Sequence, residues 1–111
     1  EKGMLIVAVP NCSSYDAGRY GEYWAAYDVP RHLWHFTPVT IQQLASRHGF
    51  IMAARHPMPF DAFYVSMLSE KHRGSSCSFL KGMYAGTLAW FSTLGRKERS
   101  SSMIYVFRKK R

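Results

Sequence analysis

Cysteine is scarce in this chain, and its glycines form no phosphate-binding pattern. Cys12 and Cys77 are the only two cysteines among 111 residues, and they match neither a C-x-x-C pair nor a zinc-binding spacing. The five histidines match no recognised metal motif, and no G-x-G-x-x-G run occurs. We therefore predict no metal site and no nucleotide fingerprint within these residues. Two thiols and no visible signal peptide predict reduced cysteines and a cytoplasmic location.

Acidic residues are also few, at 7 against 15 basic ones, which gives a formal net charge of +8. Much of the excess lies between Arg96 and Arg111, which is typical of a solvated C-terminal face. The chain lacks the signatures of common nucleic-acid-binding folds, so we predict no nucleic-acid partner. A basic, non-enzymatic module that binds nucleic acid or an anionic surface is the alternative. The longest apolar stretch, Phe79–Leu94, is short and contains Lys81, which predicts no integral membrane segment.

Strands and helices alternate in the pattern of an α/β domain. The first strand is apolar without alternation, which predicts a strand covered on both faces. Thr37-Pro38 is a helix start and Gly49 a helix end, whereas Pro57 and Pro59 should end the second strand. Large apolar residues lie on one side of each of the last two helices, and the broad apolar face of Phe79–Leu94 either covers the exposed face of the sheet or forms a lid over a hydrophobic substrate. The predicted strands are Met4–Val9, Phe50–Arg55 and Met103–Arg108, and the predicted helices are Pro38–His48, Asp61–His72 and Phe79–Leu94, with a short helix near Gly21–Ala26.

One segment is more specific than the rest: Tyr27-Asp28-Val29-Pro30-Arg31-His32-Leu33-Trp34-His35-Phe36-Thr37-Pro38. It follows an apolar strand with a Pro10-Asn11 exit, and it leads into a helix that stops at Gly49-Phe50. This arrangement resembles the C-terminal half of a class I S-adenosylmethionine (SAM)-dependent methyltransferase of the small-molecule type. The resemblance implies an enzyme that transfers a methyl group from SAM to a small-molecule acceptor.

The resemblance also implies a fold and a domain organisation. Residues 1–111 would be the C-terminal portion of a Rossmann-like methyltransferase sheet, with the SAM-binding N-terminal half absent and residues 61–95 as a helical insertion. Three strands with flanking helices are expected, the last strand lying antiparallel and central. Because the Gly-rich and acidic SAM-binding elements are missing, cofactor-binding residues remain unknown. We expect the chain alone to be inactive, to bind SAM weakly, and to associate with itself through its unpaired first strand or through Phe79–Leu94.

The candidate site lies in the long loop after the first strand, where ligands bind in open α/β sheets. His32 and His35 are the candidate catalytic bases, since methyl transfer to O–H or N–H requires removal of a proton. Alternatively, both histidines cap local backbone and pack against neighbouring aromatics. Five residues are candidates for substrate binding, and each has a structural alternative as a turn residue, as loop packing or as the ion-pair partner of Asp28. They are Asn11, Tyr15, Tyr23, Trp24 and Arg31.

Overall fold

A three-stranded antiparallel sheet with four helices forms the protein in a computed structural model that describes residues 3–111. Strands β1 (Met4–Pro10) and β2 (Phe50–Met58) lie at the two edges, and β3 (Ser102–Lys109) lies between them. Both edge strands run antiparallel to β3, which is the predicted order. Because every pairing is antiparallel, the sheet differs from that of a Rossmann fold. The architecture is that of a small α/β protein.

Helix α2 (Pro38–Arg47) covers one face of the sheet. Its start is fixed by a capping box, in which Thr37 Oγ1 accepts from the Thr40 backbone N–H and Thr40 Oγ1 accepts from that of Thr37. Its end is followed by Gly49, whose φ of 79° is the left-handed conformation that terminates helices. The helix buries Ile41 against alternate residues of β3, and these form the sheet core. The β3 residues are Met103, Tyr105 and Phe107.

The prediction that β1 is covered on both faces is wrong. Met4 is 72% exposed and Ile6 is 63% exposed, whereas Val7 and Val9 pack on the sheet core. The reason is that β1 is an edge strand and that α2 covers only one face of the sheet. A strand edge with apolar side chains and unpaired backbone N–H and C=O groups is a surface with which a further strand can pair.

The prediction that Pro57 ends β2 is also wrong, because the strand continues to Met58, which aligns with Ser102 of β3. A proline is tolerated there because β2 is an edge strand, so a residue without an N–H need not interrupt the pairing. A register shift between Met52 and Ala54 marks a bulge earlier in the same strand.

Helices α3 (Asp61–His72) and α4 (Ser78–Gly95) form an antiparallel hairpin within the range predicted as an insertion. The wide apolar face predicted for α4 is not packed. Small and polar side chains are buried on α4, and most of its large apolar ones are exposed. On α3 the large apolar side chains are mostly buried or half-buried. Close approach is the cause, because a Cβ on Gly82 would lie 2.5 Å from the Cα of Met67. None of the helices described between residues 3 and 111 combines the length and apolar composition needed to cross a bilayer.

Candidate functional site

The loop from Cys12 to Phe36 leaves the end of β1 and returns to it. The Cys12 N–H donates to the Phe36 carbonyl at 3.0 Å, and Asn11 and Phe36 form a parallel bridge. Inside this closed loop lie helix α1 (Tyr15–Tyr20) and two 3-10 turns, Gly21–Tyr23 and Ala25–Tyr27. The predicted helix near Gly21–Ala26 is therefore replaced by an earlier helix, which Ser14 caps, and by these two turns.

A small cavity of about 130 Å³ opens where the loop closes on the end of β1. His32 and His35 both line it, as do Trp24 and Trp34. The two candidate bases are thus brought to one site, at the strand end where the sequence placed them. A more open hollow of about 290 Å³ adjoins the cavity and shares His32 with it. Its other walls include Arg31 and the α3 residues Asp61 and Tyr64.

His32 lies beside a carboxylate. Its Nδ1 is 4.0 Å from Asp28 Oδ2, and its backbone N–H donates to the Asp28 carbonyl at 2.9 Å. Asp28 adopts a left-handed conformation, with φ 44° and ψ 45°, at the end of the second 3-10 turn. At 4.0 Å the two side chains are neighbours without a hydrogen bond between them. The His32 side chain is half-exposed and lines the cavity, so its ring is accessible to a group bound there.

His35 is held by aromatic packing and not by an acid. Its ring meets Tyr27 edge to face at 4.9 Å, and Tyr27 meets Trp24 in the same way at 5.0 Å. Trp24 is buried and its Nε1–H donates to Asp16 Oδ2 at 2.8 Å. Ser101 Oγ donates to the same carboxylate oxygen, so the residue just before β3 anchors this stack of rings. His35 is therefore a rigidly placed wall residue of the cavity.

Asn11 has a structural role in this fold. It is buried, its Nδ2 donates to the carbonyls of Glu98 and Ser100, and its Oδ1 accepts from the backbone N–H and hydroxyl of Ser13. Its amide is fully engaged in joining the end of β1 to the segment that precedes β3, so no group is left for a substrate. The turn-residue alternative is the one that this geometry favours.

The remaining predicted substrate residues divide into two groups. Trp24 lines the cavity, but Tyr15 and Tyr23 do not. The Tyr15 ring instead lies under the Arg99 guanidinium at 5.4 Å, and Tyr23 is exposed on its turn. Arg31 is exposed, and its Nη1 is 3.7 Å from Asp28 Oδ1. This ion pair is the structural alternative that the sequence offers for Arg31.

Three further residues belong to the site although they were not singled out as site residues. Trp34 is 82% exposed and lines the cavity, as do Phe36 and Cys12. Burial raises the pKa of the Cys12 thiol, although a backbone hydrogen bond opposes this, so the group stays protonated and is a poor nucleophile. The link between Asp28 and His32 could have been found from their spacing of four residues, which places both side chains on one side of a turn.

No protein-family model matches this chain, and neither does any curated protein or any solved structure.

Proposed function

We propose that the chain forms the substrate-side part of a SAM-dependent methyltransferase domain that acts on a small molecule. The observation that carries this proposal is the cavity at the end of β1, which two imidazoles share. The central, antiparallel last strand and the Asp28–Phe36 segment that closes the cavity are the features of the resemblance that support it. SAM would be held by elements outside these residues, since no Gly-rich turn occurs here.

Methyl transfer requires only two functions of the residues in the cavity. When bound, SAM would supply an electrophilic methyl group, and the chain would hold the acceptor in line and remove its proton. His32 is the stronger candidate base because it lines both the cavity and the adjoining hollow and lies beside the Asp28 carboxylate. Trp24, Trp34 and Phe36 would exclude water and stack on a planar acceptor. The apolar walls favour a small aromatic or otherwise largely apolar methyl acceptor over a highly charged one.

The test is methyl transfer from labelled SAM to a panel of small hydroxyl, amine and carboxyl acceptors, measured with the full-length protein. His32→Ala should lower kcat by about 10²-fold or more, as expected for loss of a general base, while SAM affinity stays unchanged. Asp28→Asn should lower kcat less, because it removes only the charge next to His32.

His48→Ala is the matched control, since His48 is an exposed histidine at the end of α2 and does not line the cavity. Wild-type turnover in both His32→Ala and His35→Ala would assign both residues to structural roles. No methyl transfer to any acceptor by a folded, SAM-binding protein would overturn the proposed function.

A further inference from the structure

The outer surface of α4 is apolar along most of its length. Exposed large side chains recur at helical spacing over about 20 Å of helix. Leu80 is 68% exposed and Leu94 is 67% exposed. Thr87 lies within the stripe, but its hydroxyl donates to the Met83 carbonyl. A continuous apolar surface of this kind marks an interaction site. The stripe consists of Leu80, Met83, Tyr84, Phe91 and Leu94.

The interior of the hairpin has the opposite character. The side of α4 that faces α3 carries Gly82, Gly86 and Ala89, and the buried Thr93 donates its hydroxyl to the Ala89 carbonyl. On α4, small residues inside and large apolar residues outside reverse the pattern of helices that face water, whereas α3 packs Phe63 and Met67 against the α4 glycines. Helix pairs in apolar surroundings pack in this way, through small residues that let their backbones approach closely.

The charged side chains of the hairpin add a second, independent observation. Lys71, Arg73 and Lys81 are exposed. Of the two acidic residues, Glu70 is buried and accepts from the Tyr20 hydroxyl, and the half-buried Asp61 accepts from the Ser102 hydroxyl. The exposed charges between residues 60 and 95 are therefore all positive, which matches an anionic partner.

A basic groove of about 500 Å³ lies at the turn of the hairpin, beside the stripe. Arg19, Arg73 and Lys81 line it together with Tyr84, and the Arg19 guanidinium lies 5.9 Å from the centre of the Tyr84 ring. Glu70 also lines the groove, with one carboxylate oxygen engaged by Tyr20. The three cations suit the phosphate of a lipid headgroup.

We propose that the α3–α4 hairpin docks on an anionic lipid bilayer. The stripe would enter the boundary between headgroups and acyl chains, and Arg19, Arg73 and Lys81 would contact lipid phosphates. A second copy of the chain fits less well on this surface, because the exposed Lys71, Arg73 and Lys81 of two facing hairpins would repel one another. The docking does not depend on the activity of the loop site.

The proposal is tested by co-sedimentation with vesicles of phosphatidylcholine alone and of phosphatidylcholine mixed with phosphatidylglycerol. The chain should bind the anionic vesicles, and less so at high salt. Leu80→Ser combined with Phe91→Ser should weaken binding by at least about tenfold, because two exposed apolar anchors are lost. Lys81→Gln should weaken it about fivefold at low salt.

Helix α2 offers matched controls, since Leu44 and Arg47 are exposed on a helix outside the hairpin. Leu44→Ser and Arg47→Gln should bind vesicles as the wild type does. A dye on the exposed Cys77, in a Cys12→Ser background, should shift to shorter emission wavelengths with anionic vesicles because it lies at the start of α4.

Four results would overturn the proposal. They are no binding to anionic vesicles, equal binding to neutral ones, equal loss of binding in the α2 controls, and conversion of an oligomer to a monomer by the stripe variants without lipid. The last result would identify a second copy as the occupant of the stripe. Circular dichroism of each variant establishes that it is folded before binding is compared.

Discussion

Replacing Gly86 with alanine tests the packing of the α3–α4 hairpin directly. A Cβ at this position would lie 2.8 Å from the Cα of Phe63 and equally close to its Cδ1. Ordinary carbon contacts are about 3.5–4.0 Å, so the helices must separate by roughly 1 Å. The Phe63 ring could rotate away, but its Cα can move only with the helix backbone. The substitution therefore cannot be accommodated by a change of side-chain rotamer alone.

Two opposing terms set the size of the effect. Overpacking of a close contact costs about 1–3 kcal/mol, and alanine is better than glycine inside a helix by about 1 kcal/mol. We expect Gly86→Ala to lower the free energy of unfolding by up to about 2 kcal/mol. Gly82→Ala should cost more, because its Cβ would lie 2.5 Å from the Met67 Cα and 2.7 Å from the Met67 nitrogen.

The assay is urea unfolding of the 111-residue chain followed by far-ultraviolet circular dichroism, with the midpoint and slope fitted separately. Gly18→Ala is the control, because Gly18 lies within α1 and a Cβ there meets nothing within 4 Å. It should leave stability unchanged or raise it by up to about 1 kcal/mol. The reasoning fails if Gly86→Ala is as stable as Gly18→Ala, since the helices would then not meet through their glycines.

Four further outcomes are expected. Burial raises the pKa of Tyr20 and of Tyr105 to about 12, and the hydrogen bond to Glu70 adds to the shift for Tyr20. Each tyrosine therefore stabilises the fold fully below pH 10, and this contribution is lost as the pH rises through 12. Urea midpoints should fall across that window, and Tyr105→Phe should remove about 2–3 kcal/mol of the pH dependence. Asn11→Ala should destabilise the chain by about 1–3 kcal/mol in urea unfolding, because buried backbone carbonyls lose their donor, whereas the exposed Gln42→Ala should have no effect. Calorimetry should detect weak or no SAM binding by the 111 residues alone, and micromolar affinity would contradict the assignment of the cofactor site to other residues. Sedimentation at rising concentration and salt should show self-association through the exposed edge of β1, and a clean monomer at high salt would mean that this edge does not pair.

The strand order and most element positions could be predicted because they depend on local patterns and on one resemblance. Thr37 and Gly49 bracket α2 with cap residues whose roles need no tertiary information. Helix α1 could not be predicted in this way, because its six residues include Gly18 and show no periodicity. Its position depends on distant contacts, such as the hydrogen bond from Tyr20 to Glu70. The helix propensities of these six residues do not reveal such a long-range contact.

The position of the candidate cavity at the end of β1 was predictable, but the roles of the individual residues around it were not. An unusually long loop with several aromatics and two histidines indicates a site at a strand end. Which residues of this loop are structural and which line the cavity depends on hydrogen bonds to residues far apart in the sequence. Asp16 is buried because Trp24 and Ser101 both donate to it, and Asn11 is occupied by carbonyls from Glu98 and Ser100. Which polar residues stay free for a ligand therefore follows from tertiary hydrogen bonding.

Helix α4 shows why an apolar pattern does not by itself identify a packed face. The helix is apolar on nearly every side, so the spacing of its large residues and that of its small ones both describe a possible interface. Backbone proximity decides between them, because only Gly82 and Gly86 let α4 approach Met67 and Phe63 closely enough to bury α3. The large residues are then left outside. Their exposure is a direct consequence of the way in which the hairpin closes, and it gives the protein the apolar surface on which the lipid proposal rests.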